Sequence, residues 1–269
     1  VALDAGAPRG GRVRALTRQA RLNATLRLLM VQAGWNFERL QNLGWAWCVA
    51  GALRELYPDP AARRAAEKRH LELFNTHPYM AGYVIGAALK VEAQVADGEA
   101  SPEAVSALKL GLSPALAAVG DSFFWATLRP AAGILAVAWL WLAPHPWHLA
   151  APLFFLGAYN LPGLWLRLHS LEKGWQEGER VALHVASLRL PALTEGLRMA
   201  ALMLAGALAG ALGRVAHPAS GLGVPLLDNF LFLGAGLVML LLLRLSVRPL
   251  AILLLCVVIT LVLALSFPG

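Results

Sequence analysis

The sequence predicts an all-α integral membrane protein, with interrupted, re-entrant and amphipathic helices in its N-terminal half and hydrophobic spans in its C-terminal half. Three observations carry that expectation. The 269 residues are 58% hydrophobic and only 14% charged, with a mean hydropathy of +0.59, too apolar for an ordinary soluble domain. No Asp, Glu, Lys or Arg occurs between Pro130 and Arg167, a run long enough for two spans or for one span and a re-entrant piece. Before Pro130 the helical patterns are instead roughly ten residues long, cut by Pro and Gly, and too short to cross about 30 Å of hydrocarbon singly.

The formal charge of +7 admits two polyanionic partners, nucleic acid or an anionic membrane surface. The apolar half decides for the lipid bilayer. Arginines bordering lipid spans account for the excess, whereas nucleic-acid binding needs a continuous basic patch with interleaved aromatics. Cys48 and Cys256 lie in separate apolar segments without redox or ligand spacing, so they read as inert small hydrophobes, and neither a metal nor a cofactor is expected.

Residues 1–20 read as a loose basic lead-in to a single membrane domain, 21–269. The lead-in has no apolar stretch followed by a cleavage site, and its start without Met suggests trimming. Arg9, Arg12, Arg14, Arg18 and Arg21 favour the cytoplasmic side.

From Leu22 to Leu56 the pattern is helical and free of proline, although Gly34, Gly44 and Gly51 weaken it. At helical spacing Gln32, Asn36, Arg39 and Asn42 gather on one side, with Trp35 and Glu38 beside them. Such a face is either simply solvated or, flanked by Trp45 and Trp47 in a membrane protein, a paired polar surface. Tyr57-Pro-Asp-Pro60 starts a second helix, with Asp59 as N-cap and Pro60 in its first turn. Pro78 disfavours helix at His77, so Asn75, Thr76 and His77 are expected in an extended or turn segment with side chains free to point at a ligand. A lone His can equally be a satisfied structural group. Residues 81–96 predict an apolar helix. Ser101 and Pro102 then open a short one ending at Gly111, and Ser113-Pro114 breaks the chain again.

Gly120-Asp-Ser-Phe-Phe-Trp-Ala-Thr-Leu-Arg-Pro130 stands at the mouth of the uncharged run. Asp121 can N-cap a short helix that Pro130 stops. Asp121, Trp125 and Arg129 recur every four residues and share a face, as a polar cluster or as a structural ion pair. Beyond Pro130, Pro144-His-Pro-Trp147 divides the run, and Asn160 with Pro162 marks a kink or a site. Arg167 to Arg198 reads as an interfacial connector and Met199 to Gly213 as a short oily piece. Two spans follow, Leu226 to Leu243 and Pro249 to Phe267, joined by a turn that Arg244 and Arg248 place on the cytoplasmic side.

Several long motifs occur in one order: W-N-F-E-R-L-Q-N-L-G (35–44), K-R-H-L-E-L-F-N-T-H-P-Y-M (68–80), V-G-D-S-F-F-W-A-T-L-R-P (119–130), the looser Y-N-L-P (159–162) with Gly174 and Gly178, and V-R-P-L (247–250). Together they resemble the membrane IID component of the mannose/fructose/sorbose-type phosphoenolpyruvate-dependent sugar phosphotransferase system, over about residues 20 to 267. The resemblance implies a multi-pass protein of the bacterial cytoplasmic (inner) membrane that pairs with a IIC membrane subunit, in a higher IIC/IID oligomer, to translocate a hexose or amino sugar by an elevator-like motion. Separate IIB and IIA phosphocarriers would relay the phosphate. The chain itself would then be no enzyme, and none of its seven histidines a phosphorylation site. It departs from the family pattern at Gly34, where Ser is common, at Ala126, where Gly is usual, and at Gly163, where Arg is frequent, as a branch with altered sugar preference or a regulatory role would.

Sugars are held by amides, carboxylates and hydroxyls, with an aromatic face against the ring. Asn75, His77, Asp121, Ser122 and Trp125 offer that set for substrate, Asp121 as acceptor and Trp125 as platform. Gln32, Glu38, Arg39, Asn42 and Arg129 are expected to support the pocket or bind the IIC partner. Two other classes compete. One is a non-transporting membrane scaffold or receptor. The other is a membrane enzyme using Asp121 with His77, which no nucleophile–base spacing supports.

Overall fold

The computed structural model describes residues 16–216, with side chains to residue 208. Nine α-helices are named in that range, with no strand longer than an isolated bridge among the described residues. The chain divides into two compact units, residues 1–202 and 203–269. Of the second, only the end of the last helix, α9 (Leu190–Ala216), is described.

The first unit is built around α4 (Ala81–Ala96), on which every residue from Ala81 to Leu89 is buried, followed by Val91, Glu92 and Ala93. A helix apolar all round has to be covered all round. Its cover comes from α1 (Arg18–Leu28), α2 (Asn42–Leu56), α5 (Pro102–Gly120), α7 (Ala151–Glu177) and α8 (Val181–Ser187). The intervening helix, α3 (Pro60–His70), packs on α2. It begins as its sequence requires, with the Asp59 carboxylate accepting the Ala62 N–H at 2.8 Å and Pro60 in the first turn.

Three expectations are corrected here. Leu22 to Leu56 is not one helix: α1 ends at Leu28, and the chain turns until α2 starts at Asn42. The predicted break at Ser113-Pro114 is also absent. The helix runs through Pro114 to Gly120, turns π-helical over Asp121–Leu128 and continues as α6 (Arg129–Leu142), one unbroken run of 41 residues. Side chains occupy backbone groups beside the proline: the Thr76 hydroxyl donates to the Ser113 carbonyl at 3.0 Å, and the Ser113 hydroxyl to the Lys109 carbonyl at 2.6 Å. Such partners are how buried helices tolerate proline. Asp121 consequently caps nothing, because its backbone is helical (φ −62°, ψ −44°) with helix on both sides. Pro162 does not end its helix, since α7 passes through it.

α1 starts within the segment expected as lead-in. Thr17 caps it and Leu16 is buried, while residues 1–15 lie outside the described residues. Two helical runs, Pro102–Leu142 and Trp147–Leu208, are long and apolar enough to cross a membrane. The 14 residues of α6 rise only about 21 Å, less than a hydrocarbon layer. Together with the facing part of α7 they expose Leu135, Val137, Leu140, Leu153, Leu156 and Leu164. Cys48 is buried in the core, and burial pushes its thiol up to about 12. Cys256 and the two C-terminal spans lie outside the described residues.

Candidate functional site

The segment between α1 and α2 carries the first motif and is held by its own polar side chains. Asn36 and Leu40 exchange backbone hydrogen bonds of 3.0 and 2.9 Å, with Leu40 in the left-handed region at φ 57°. Asn36 Oδ1 accepts the Arg39 N–H at 2.9 Å, and its Nδ2 donates to Asn42 Oδ1 at 2.8 Å, an Asx-type turn for which Asn is suited. The turn is then joined to the second motif. Gln41 N–H donates to the Phe74 carbonyl at 2.9 Å. The Gln41 amide clamps Thr76 from both sides, donating to its carbonyl at 2.8 Å and accepting its N–H at 3.3 Å. Asn42 and Arg39 both donate to the Leu71 carbonyl, at 2.9 and 3.3 Å. Gln32, Asn36, Arg39 and Asn42 therefore line no helical face. Arg39 and Asn42 brace one loop against the other, and Gln32 and Glu38 are exposed.

The braced loop delivers His77 to the π-helical segment. His77 is 1% exposed, stacked on Phe124 at 5.1 Å between ring centres and edge-on to Trp125 at 4.8 Å and Tyr79 at 5.1 Å. Gly120 makes the approach possible, because a Cβ there would stand 2.4 Å from His77 Cβ. The wider π-helical turn, a form concentrated at functional sites, buries Phe124 and Thr127 while leaving Trp125 half exposed. α7 completes the cluster. Tyr79 lies where a side chain on Gly163 would be, with a Cβ there only 2.3 Å from its ring, and the Arg167 guanidinium sits 4.8 Å over the same ring. Tyr159 stands 6.5 Å from Tyr79 between ring centres. Parts of the second, third and fourth motifs meet here.

Of the sequence-predicted substrate residues, the structure brings His77 and Trp125 into contact. Asp121 is half buried and Ser122 exposed on the same π-helical segment; Asn75 is exposed, two residues before His77. Arg129 is exposed at the start of α6 and forms no ion pair with Asp121. Eight residue steps of helix, roughly 12 Å of rise at α-helical pitch, separate those two. The Tyr79 N–H donates to His77 Nδ1 at 3.3 Å. Burial first, and the Arg167 charge second, pull the His77 imidazole down to about 4, so it is neutral at physiological pH. Cavities of about 320 Å³ between α2 and α3 and about 460 Å³ at the α6–α7 turn are lined by other residues.

A second buried polar cluster escaped the sequence reading. Glu92 on α4 is 0% exposed. Its Oε1 accepts from Tyr57 at 2.6 Å and from Arg69 Nη2, and its Oε2 from Arg69 Nε at 3.1 Å and lies 3.0 Å from His70 Nε2. The Trp45 indole N–H, a donor only, points at His70 Nδ1 at 2.8 Å. The ring proton is therefore on Nε2 and faces Glu92. Burial alone would raise the Glu92 carboxyl, but hydrogen bonds from His70 and Arg69 outweigh it and hold the group down to about 2. Burial lowers His70. The cluster fixes the end of α3, from which the His77 loop departs. Its sequence signal was an acid inside the apolar 81–96 pattern, costly unless paired.

Residues 15–267 match the PTS system mannose/fructose/sorbose family IID component. The chain is 37% identical over 185 residues to the PTS system mannose-specific EIID component of Escherichia coli (strain K12), covering 68% of this chain and 64%, just under two thirds, of that protein. It is 33% identical over 194 residues to the fructose permease IID component of Bacillus subtilis (strain 168), covering 72% and 69%. Among solved structures it is similar, at 31% identity and a TM-score of 0.69, to a chain described as a membrane protein, over 93% of this chain and 97% of that one. It is also similar, at 31% identity and a TM-score of 0.57, to a chain of the mannose transporter ManYZ solved by cryo-EM with microcin E492, over 92% and 96%. The chain belongs to the mannose/fructose/sorbose family of PTS IID components, and it is an all-α membrane protein.

Proposed function

We propose that the chain works with a IIC membrane subunit in the bacterial cytoplasmic membrane to bind and translocate a hexose or amino sugar of the mannose class, which IIB, recharged by IIA, phosphorylates. The observation that carries this reading is the convergence of three motif segments on His77. The loop 71–80 and the π-helical segment bring a neutral imidazole and an indole face into contact, with α7 packed on the adjoining Tyr79 ring, and Asp121 and Ser122 belong to the same π-helical segment. An aromatic face with a few polar groups is the chemistry that selects sugars. His77 is buried, which favours a site shared with the partner in a multi-pass IIC/IID oligomer with an elevator-like motion. Asn75, His77, Asp121, Ser122 and Trp125 contact substrate in this reading, residues 21–269 act as one IID domain, and phosphoryl transfer stays with IIA and IIB. Asp121→Asn tests the site. Sugar uptake should be abolished with IIC–IID assembly intact, and preserved uptake would remove Asp121 from the site.

A docking role is the second reading, favoured by the solved neighbour's being a complex with a microcin. Deleting a docking protein would leave sugar uptake unchanged.

A further inference from the structure

Two buried side-chain atoms among the described residues have no hydrogen-bond partner, His77 Nε2 and Arg167 Nε. Both belong to groups packed on Tyr79. The Arg167 guanidinium lies 4.8 Å over that ring, and His77 meets its edge at 5.1 Å. Both atoms are donors. With the Tyr79 N–H donating to His77 Nδ1 at 3.3 Å, the proton of the neutral ring is on Nε2, and a guanidinium can only donate. Arg167 reaches one carbonyl, that of Leu29, through Nη1 at 3.4 Å, and takes part in no ion pair among the described residues. A buried donor left without an acceptor is destabilising. A guanidinium without a counter-charge inside a membrane-crossing run marks a functional group by default. What the pair lacks is an acceptor carrying negative charge.

We propose that these two donors, covered by the Tyr79 ring, form a site for the phosphoryl group of a hexose phosphate, the product that a phosphotransferase-linked translocator must release. The proposal rests on the transport reading above. A sugar hydroxyl accepts but also brings a proton and no charge, whereas phosphoryl oxygens only accept and match a guanidinium. Tyr79 is the cover because it rests on the shelf left by Gly163. In this proposal the ring swings off that shelf to admit the phosphoryl group to both donors.

The test uses the full chain purified with its IIC partner in lipid nanodiscs, titrated calorimetrically with glucose 6-phosphate, mannose 6-phosphate, the parent sugars and inorganic phosphate. A hexose phosphate should bind about tenfold or more tightly than its parent sugar, with inorganic phosphate competing. Arg167→Gln should erase the difference. Gly163→Ala, which pushes the ring off its shelf, should enlarge it and serves if Arg167→Gln does not fold. Equal affinity for ester and parent sugar overturns the proposal, as does ester binding unchanged in Arg167→Gln and His77→Gln. Uptake of the parent sugar is measured in parallel. Uptake without ester preference defeats this site alone, whereas absent uptake defeats the transport reading itself.

Discussion

At the scale of single residues, the site depends on how closely His77 approaches the helix beneath it. A Cβ on Gly120 would stand 2.4 Å from His77 Cβ, so Gly120→Ala should cost about 1–3 kcal/mol of stability by overpacking and depress sugar uptake. Thermal melting in detergent and transport assays read the two effects. His77 also links folding to pH. Its folded-state value is lowered to about 4 from 6.5, so the unfolded chain takes up a proton that the folded chain refuses. Stability from this group is complete above pH 6.5 and is lost towards pH 4, by at most about 1.4 kcal/mol per pH unit. In His77→Gln the slope of melting temperature against pH should flatten across that window; an unchanged slope would mean that His77 is solvated. His77 and Trp125 were legible in the sequence because Pro78 forces the loop open and the aromatics stand beside it. The Asp121–Arg129 pairing was not, since sharing a helical face says nothing about separation along the axis.

Among the elements, α4 was fully legible: its apolar period and flanking turns gave residues 81–96, the range observed. The turn between α1 and α2 was hidden. No proline or charge run marks it, and it exists because Asn36 closes it, Leu40 adopts a positive φ and Gln41 pairs with Thr76 thirty-five residues on. Pairing at that distance leaves no local period to read. Pro114 misled in the opposite direction, because tertiary partners for Ser113 hold its helix together. The Glu92 cluster gives a prediction at this scale. Glu92→Gln strands the Arg69 charge and should cost about 3–5 kcal/mol, whereas Tyr57→Phe removes one hydroxyl and should cost about 1–2 kcal/mol. Denaturant titration separates them, and equal small losses would show the cluster to be hydrated. As pH falls, Glu92 gives up its contribution only between its ordinary 4.5 and about 2, a window that opens as the His77 window closes.

For the whole molecule, membrane class and family were legible early, the first from composition and the second from motifs spread along the chain. Composition cannot say which motifs touch. The fold answers by bringing the second, third and fourth together at His77 and using the first as a brace. His77 at the centre of that cluster is buried, and in this account the IIC subunit forms part of the site. The most direct measurement is calorimetric binding of a small sugar panel to the purified chain with and without its IIC partner. The account predicts saturable binding of a mannose-class sugar to the complex and none to the isolated chain. Binding of no sugar by a well-folded complex, or equal binding by the chain alone, would contradict it.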